Sequence, residues 1–311
     1  MRFSCQFSDN TREVICHILN GAHKLSEVQV CALVLTDQEG FEIRAVTDSA
    51  SVFGKIEHTQ FSQFSVQSKA NNRIAIEVQI ASLLSAFKIS TGTCEQITFK
   101  LTKNKANVVC FSLSTRGMLT NILLTQDVPV MRLLTHVEMA RYREPAVGDA
   151  QVTIAFPEAK LAKTVLDRMK NLGKVVQIKA DERTGKLVFR MDTDVVSTRT
   201  VFDGLGLANN NNNNLEDEDG NVRHQYVVAQ LNCKEFGSIT SALALFSKRT
   251  NNTMLAIVQH CAVCVHVSFD DESHLTFYLA TVAPSSTDED DDDNQTGNHE
   301  LHMETQQDND L

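Results

Sequence analysis

The chain has 311 residues, 42% of them apolar, and a formal net charge of −10. That is enough for two domains and a sizeable core, and the apolar share excludes global disorder. The acidity is local: ten of the 39 acidic residues and none of the 29 basic ones lie between Thr281 and Leu311, so Met1 to Ala280 is neutral overall. A neutral body still has room for a basic face, which keeps nucleic acid open as a partner.

No apolar run of about 18 residues is present to span a bilayer. Met1-Arg2-Phe3-Ser4-Cys5 reads as a strand and lacks the zones of a signal peptide. Eight cysteines are scattered through apolar stretches, a usage that suits reduced thiols in the cytosol or nucleus.

Met1 to Ser8 is strand-like, and Asp9-Asn10 offer an N-cap to a helix over Thr11 to Leu25 with Val14, Ile15, Ile18, Ala22 and Leu25 on one face. Glu27 to Thr36, Phe41 to Thr47 and Val52 to Glu57 follow as β-rich runs, the first two joined by a turn at Gln38-Glu39-Gly40. Arg73 to Val78 predicts a strand and Ile80 to Ser90 a short helix with Leu83, Leu84 and Phe87 apolar. Strands return at Gln96 to Leu101, Asn107 to Ser114 and Thr120 to Thr125.

A connector begins at Gln126-Asp127-Val128-Pro129-Val130, and the plan then repeats. Gln151 to Phe156 is a strand, and Pro157 stands where a helix can begin. Glu158 to Leu172 is expected to bury Leu161, Val165, Met169 and Leu172. Lys174 to Ala180, Lys186 to Met191 and Val195 to Phe202 are strands, with Arg183-Thr184-Gly185 a turn. Beyond a loop, Gln225 to Gln230 is a strand and Asn232 to Lys248 a helix burying Phe236, Ile239, Leu243 and Phe246. Three strands close the pattern at Thr253 to Gln259, Ala262 to Phe269 and His274 to Leu279.

The expected organisation is an N-terminal domain over 1–126, a connector over 127–150 and a C-terminal domain over 151–284. An asparagine-rich loop at 205–221, with Asn209 to Asn214 consecutive, and an acidic tail over 285–311 are expected to be disordered. The fold class is α+β, two similar domains each with two helices packed on antiparallel sheets.

On a helical wheel of about 100° per residue, Lys160, Lys163, Lys170 and Lys174 fall within an arc of roughly 80°, with Asp167 intruding. Such a face neutralises phosphates without reading bases; the plainer alternative is a solvated amphipathic surface. Lys234, Lys248 and Arg249 add cations to the later helix, while the first half offers Arg12, His17, His23 and Lys88.

His260-Cys261-Ala262-Val263-Cys264-Val265-His266 invites a zinc reading, but residues three apart on a strand point to opposite faces, and core cysteines fit better. No nucleotide-binding loop, nucleophile elbow or zinc-protease motif is present, so neither an enzyme nor a cofactor is expected, and a hydrolase with an unfamiliar site is the outlying alternative. In the connector, Val128, Val130, Leu133 and Leu134 form an apolar strip, read either as a partner-binding groove or as a linker packed down for stability.

These stretches resemble the hydroxyurea-sensitive subunits of the heterotrimeric DNA-damage checkpoint clamp, the nine-one-one complex, which are relatives of the proliferating-cell nuclear antigen. The resemblance rests on Thr125-Gln126-Asp127-Val128-Pro129-Val130, Arg143-Glu144-Pro145-Ala146-Val147-Gly148-Asp149, Val152-Thr153-Ile154-Ala155-Phe156-Pro157 and Arg168-Met169-Lys170-Asn171. Gly220-Asn221-Val222-Arg223-His224, Met1-Arg2-Phe3 and Phe277-Tyr278-Leu279 extend it. The asparagine run and the acidic tail lie outside it.

It implies a DNA-clamp fold that is not an enzyme and holds no metal. Two other clamp-like subunits would complete a heterotrimeric ring in the nucleus, loaded by a clamp loader and serving checkpoint and repair proteins. Lys160, Lys163, Lys170, Lys174, Lys234, Lys248, Arg249 and Arg12 would meet duplex phosphates. Edge strands carrying Val108, Cys110 and Ser112, and Val195, Ser197, Arg199 and Val201, would pair with neighbouring subunits. A homotrimeric replicative clamp is the alternative of the same fold.

Overall fold

The computed structural model describes residues 1–25, 28–89, 94–117, 123–206, 226–246 and 249–283. The first half runs β1 (Arg2–Phe7), α1 (Asp9–Lys24), β2 (Val30–Thr36), β3 (Gly40–Val46), β4 (Ala50–Ile56), β5 (Gln63–Gln67), β6 (Arg73–Gln79), α2 (Ile80–Ile89), β7 (Cys94–Lys103), β8 (Val109–Gly117) and β9 (Leu123–Pro129). A crossing segment carries β10 (Arg132–Leu133) and the one-turn α3 (His136–Met139). The second half runs β11 (Val152–Ala155), α4 (Ala159–Met169), β12 (Val175–Asp181), β13 (Lys186–Asp192), β14 (Ser197–Phe202), β15 (Val227–Asn232), α5 (Cys233–Phe246), β16 (Asn252–Val258), β17 (Ala262–Ser268) and β18 (Ser273–Ala280). Apart from β5, the second half repeats the element order of the first. Most of the Asn-rich loop and the tail from Pro284 lie outside the described residues, and with them the expectation of disorder there.

The strands form three antiparallel sheets. One is ordered β5-β1-β7-β8-β9, one β14-β13-β12-β15, and the largest β10-β6-β2-β3-β4-β18-β17-β16-β11. The last spans both halves because β18 pairs with β4, from Ser273 opposite Ile56 to Leu279 opposite Ala50. Alternating side chains explain why. In β17, Val263, Val265 and Val267 are fully buried on one face, while His266 is exposed on the other. That register puts Cys264 and His266 on the same face of β17, while Cys261 lies in the turn before the strand.

Helices cover one side of the sheets in a row: α2 packs on α1, α1 on α5, and α5 on α4. The cap of α1 is Ser8 rather than the expected Asp9-Asn10; its hydroxyl accepts from Thr11 N at 3.4 Å. Val14, Ile15, Ile18, Leu19 and Ala22 then face the core. Close packing of α1 requires Gly54 on β4, where a Cβ would sit 2.3 Å from Ile18 Cγ2. A single apolar cluster runs through both halves, with Phe99 and Phe111 stacked at 4.6 Å in the first.

The crossing segment lies against the large sheet rather than hanging free. β10 pairs with β6, Arg132 opposite Glu77, and Thr135 with Glu138 forms a reciprocal capping box for α3. β9 continues through Asp127, Val128 and Pro129, and Pro129 closes the edge strand of its sheet, the position where a missing N–H is tolerated.

Candidate nucleic-acid interface

The outward surface of the helix row carries several of the cations expected from the sequence, with changes in their roles. In α4 the buried residues are Ala159, Ala162, Leu166 and Met169. Leu161 and Leu172, expected in the core, are 55% and 46% exposed. The helix rests on α5 through its alanine-bearing face, and Cys233 Sγ lies 4.0 Å from Leu166 O. On the same wheel the buried arc centres near ~220° from Lys160, so the outermost direction belongs to Lys160, Thr164, Arg168 and Asn171.

Lys163 and Lys170 sit on the flank of that arc. Both bond Asp167, Lys170 at 2.5 Å, and the two ammonium groups hold its carboxyl below the usual aspartate range, Lys163 contributing most. Asp167 thus draws charge from two of the four expected phosphate contacts. Lys174 does not continue the helix, which ends at Met169; it lies in the following bend, where its carbonyl accepts from Cys233 N at 2.8 Å. That places it beside Lys234, whose N–H donates to the Asn232 side chain capping α5. Lys160, Lys174, Lys234 and Arg168 are exposed and make no ion pair among the described residues. Arg168 is not among the cations expected to meet phosphates, and it faces outward here because the buried arc leaves out Leu161 and Leu172.

Two arginines are paired with acidic residues. Arg12 pairs with Asp9 at 2.6 Å and donates to Phe87 O at 3.0 Å, closing the end of α2 against α1. Its side chain is only 13% exposed, held between α1 and the end of α2. Arg249 reaches back to Glu13 at 2.6 Å and Asn10 at 3.4 Å, bridging the two halves beside α1. Lys248 lies outside the described residues.

The expected apolar strip of the connector is also redrawn. Val128 is 3% exposed inside β9, and Val130 and Leu134 are half-buried, Leu134 N bonding Ala75 O at 2.9 Å. The exposed apolar residues are Met131, Leu133 and Val137, at 57%, 49% and 81%. Beneath them Glu77, 5% exposed, accepts from Arg132 Nε at 2.5 Å and from Tyr142 Oη at 2.6 Å. Arg132, followed by the phenol, holds that carboxyl below the usual glutamate range despite its burial. Glu144 takes a second phenol, Tyr278 Oη, at 2.6 Å.

One of the two expected free edges lies elsewhere. β8 is bonded on both sides, to β7 and β9, and Cys110 and Ser112 are 1% and 4% exposed. Val108 lies outside β8, in the turn before it. The outer strand of that sheet is β9, exposing Leu123 at 61% and Leu124 at 38%. At the other position β14 is an outer strand, with Ser197, Arg199 and Val201 exposed on it and Val195 just before it at 89%.

Four helices in one row over antiparallel sheets, in an element order given twice, define a sliding-clamp fold of the α+β class. The crystal structure of the proliferating cellular nuclear antigen from Entamoeba histolytica superposes with a TM-score of 0.68, covering 90% of this chain and 98% of that one at 12% identity. The family model for Hus1-like protein matches residues 1–283, and the chain belongs to that family. Among relatives, the checkpoint protein hus1 homolog of Dictyostelium discoideum is 29% identical over 51% of this chain and 58% of its own length. Human checkpoint protein HUS1 is 28% identical over 54% and 60%, and that of Schizosaccharomyces pombe 25% identical over 72% and 79%. The matched region thus spans under two thirds of the first two relatives.

Proposed function

We propose that this chain is a non-catalytic subunit of a ring-shaped DNA-damage checkpoint clamp that encircles duplex DNA in the nucleus. In that assembly its two halves, 1–126 and 151–284, act as two clamp domains joined through 127–150. The observation that carries the reading is the helix row with Lys160, Arg168, Lys174 and Lys234 making no ion pair among the described residues, combined with outer strands β9 and β14 in two different sheets. Outer strands are templates for pairing with other chains, and two of them on one subunit let a ring close. Cations that meet phosphates without base-reading partners hold DNA loosely enough to slide.

The names of the matched relatives, all checkpoint proteins, support the checkpoint role over a replicative one. Two other clamp-like subunits, a clamp loader, and checkpoint and repair proteins are the partners this role requires. The test is affinity purification from cells followed by native mass measurement. The expected result is a 1:1:1 complex with two clamp-like chains. A stable homotrimer of the 34.6 kDa chain would instead favour a homotrimeric replicative clamp.

A further inference from the structure

A cavity of about 280 Å³ lies where the two halves meet in the middle of the helix row. Its walls come from the first turns of α1, from the chain that leaves α5 and from the residues just past β17. One wall is flat and apolar. The His17 ring lies within 12° of parallel to Phe269, their centroids 6.0 Å apart, Phe246 holds the same imidazole at 5.4 Å, and Val14 continues the surface. Burial lowers the titration of His17 from its ordinary value of 6.5, so the ring is neutral at pH 7.

The opposite wall is polar. Glu13 Oε2 pairs with Arg249 at 2.6 Å, and Asn10 Oδ1 accepts from Arg249 Nη1 at 3.4 Å. Neither bond uses Glu13 Oε1 or the Asn10 Nδ2, and Asn251 brings a second exposed amide to the rim. Asp270 closes the cavity with its Oδ1 accepting from Glu272 N at 2.9 Å. Two carboxylates against one guanidinium leave the space slightly negative, which disfavours a phosphate inside it. A neutral, planar group with donors and acceptors on its edge fits instead. Amides and a carboxylate supply the bonds that base edges use, and an aromatic wall accepts the face of any base. Ligand pockets begin at roughly 300 Å³, so there is room for one such group and not for a stacked pair.

We propose that this cavity takes the base of a single unpaired nucleotide, where duplex DNA gives way to a single strand. The proposal deepens the clamp reading and rests on the helix row facing DNA, because α1 and α5 belong to the same row as α4. A paired base would have to leave its stack to enter, whereas an unpaired one is already free to do so. The contact therefore marks a junction without reading a sequence, which phosphate contacts alone do not achieve.

The test uses the assembled complex purified with this chain and two tailed duplexes of identical charge. They differ only at the first unpaired position, which carries a base in one and an abasic sugar in the other. The complex should bind the first at least about fivefold more tightly, the effect of one stacked base. An N10A/N251A complex, altered only at exposed amides of the rim, should bind the two with closer affinities. With 5-iodouracil at the same position, irradiation and peptide mapping should place the adduct on His17 or Phe269. Equal binding of the two duplexes by the unaltered complex, or adducts only elsewhere, overturns the base site while retention of both duplexes leaves the clamp reading standing. Coupling of Glu13 or Asp270 by carbodiimide to a lysine of another subunit, with no adduct on the wall, gives the cavity to a partner's side chain and overturns the base site too. Retention of neither duplex overturns the DNA-facing reading and the base site together.

Discussion

Tyr142 Oη donates to Glu77 Oε1 at 2.6 Å in a site where Tyr142 is 1% exposed and Glu77 5%. The same carboxylate takes two bonds from Arg132, so one acidic residue of β6 ties the crossing segment down at two points ten residues apart. A buried carboxylate is tolerated only with such partners.

Removing the phenol tests that anchor. Y142F should lower unfolding stability by about 1–2 kcal/mol, since Glu77 keeps Arg132, whereas E77A should cost more by leaving Arg132 and Tyr142 without their acceptor. Denaturant midpoints of the purified chain check both. The pH dependence has a definite sign. Glu77 titrates in the folded chain below its ordinary value of 4.5, so its contribution is fully present above that pH and is lost as pH falls through the folded value. The stability gap between wild type and E77Q should therefore shrink on acidification below about 4.5.

His266 and His274 face each other on the outer side of the large sheet, ring centroids 5.5 Å apart. Burial lowers both from 6.5, with His274 adding to the effect on His266 and Lys55 to that on His274. Glu42, Glu57 and Glu144 act on His274 in the opposite direction but do not reverse it. The unfolded chain then binds protons more readily than the folded one, so stability falls as pH drops below 6.5 toward the folded values. An H266Q/H274Q chain should show a flatter stability profile across that window, measured by thermal unfolding at a series of pH values.

Gly54 accepts Ile18 where any Cβ would collide with it. G54A should destabilise the chain by about 1–3 kcal/mol through overpacking. Combining it with I18A should cost less than the sum of the two single changes, because the cavity and the added methyl offset each other. Additive costs in the double mutant would mean that α1 does not rest on β4 at this point.

The helix-row cations divide by role. R12A should cost about 2 kcal/mol of stability, as a charge-assisted bond to a helix-end carbonyl is lost, and leave DNA retention of the assembled complex unchanged. K160E with R168E should do the reverse, leaving folding intact and weakening retention, with the salt slope falling by roughly 0.9 for each phosphate contact removed. Lysine changes at 163 and 170 are less clean probes, because they leave Asp167 without its partners. Retention and salt slope equal to wild type in the K160E/R168E complex would remove α4 from the DNA surface.

Much of this fold was legible before any coordinates. Two-residue alternation marked strands such as β17, the 3.6-residue apolar stripe marked α1, and the recurrence of the same order after Gln151 marked a duplicated plan. The stretch from Arg143 to Pro157 carried the family resemblance. Those are local properties, set by backbone geometry and by which side chains repel water.

Tertiary packing alone decided the rest. Leu161 and Leu172 lie exposed rather than in the core because α4 buries its alanine side against α5, and periodicity does not specify which arc a partner helix will cover. β8 is interior because β7 and β9 flank it on its two sides, and the alternation within a single strand does not say which strands will lie beside it. Arg12 reads as a surface cation until Asp9 and Phe87 come within reach, and Glu13 pairs Arg249 without burying it. Composition determined that charge would be present; distance determined which charges remain free to meet a partner.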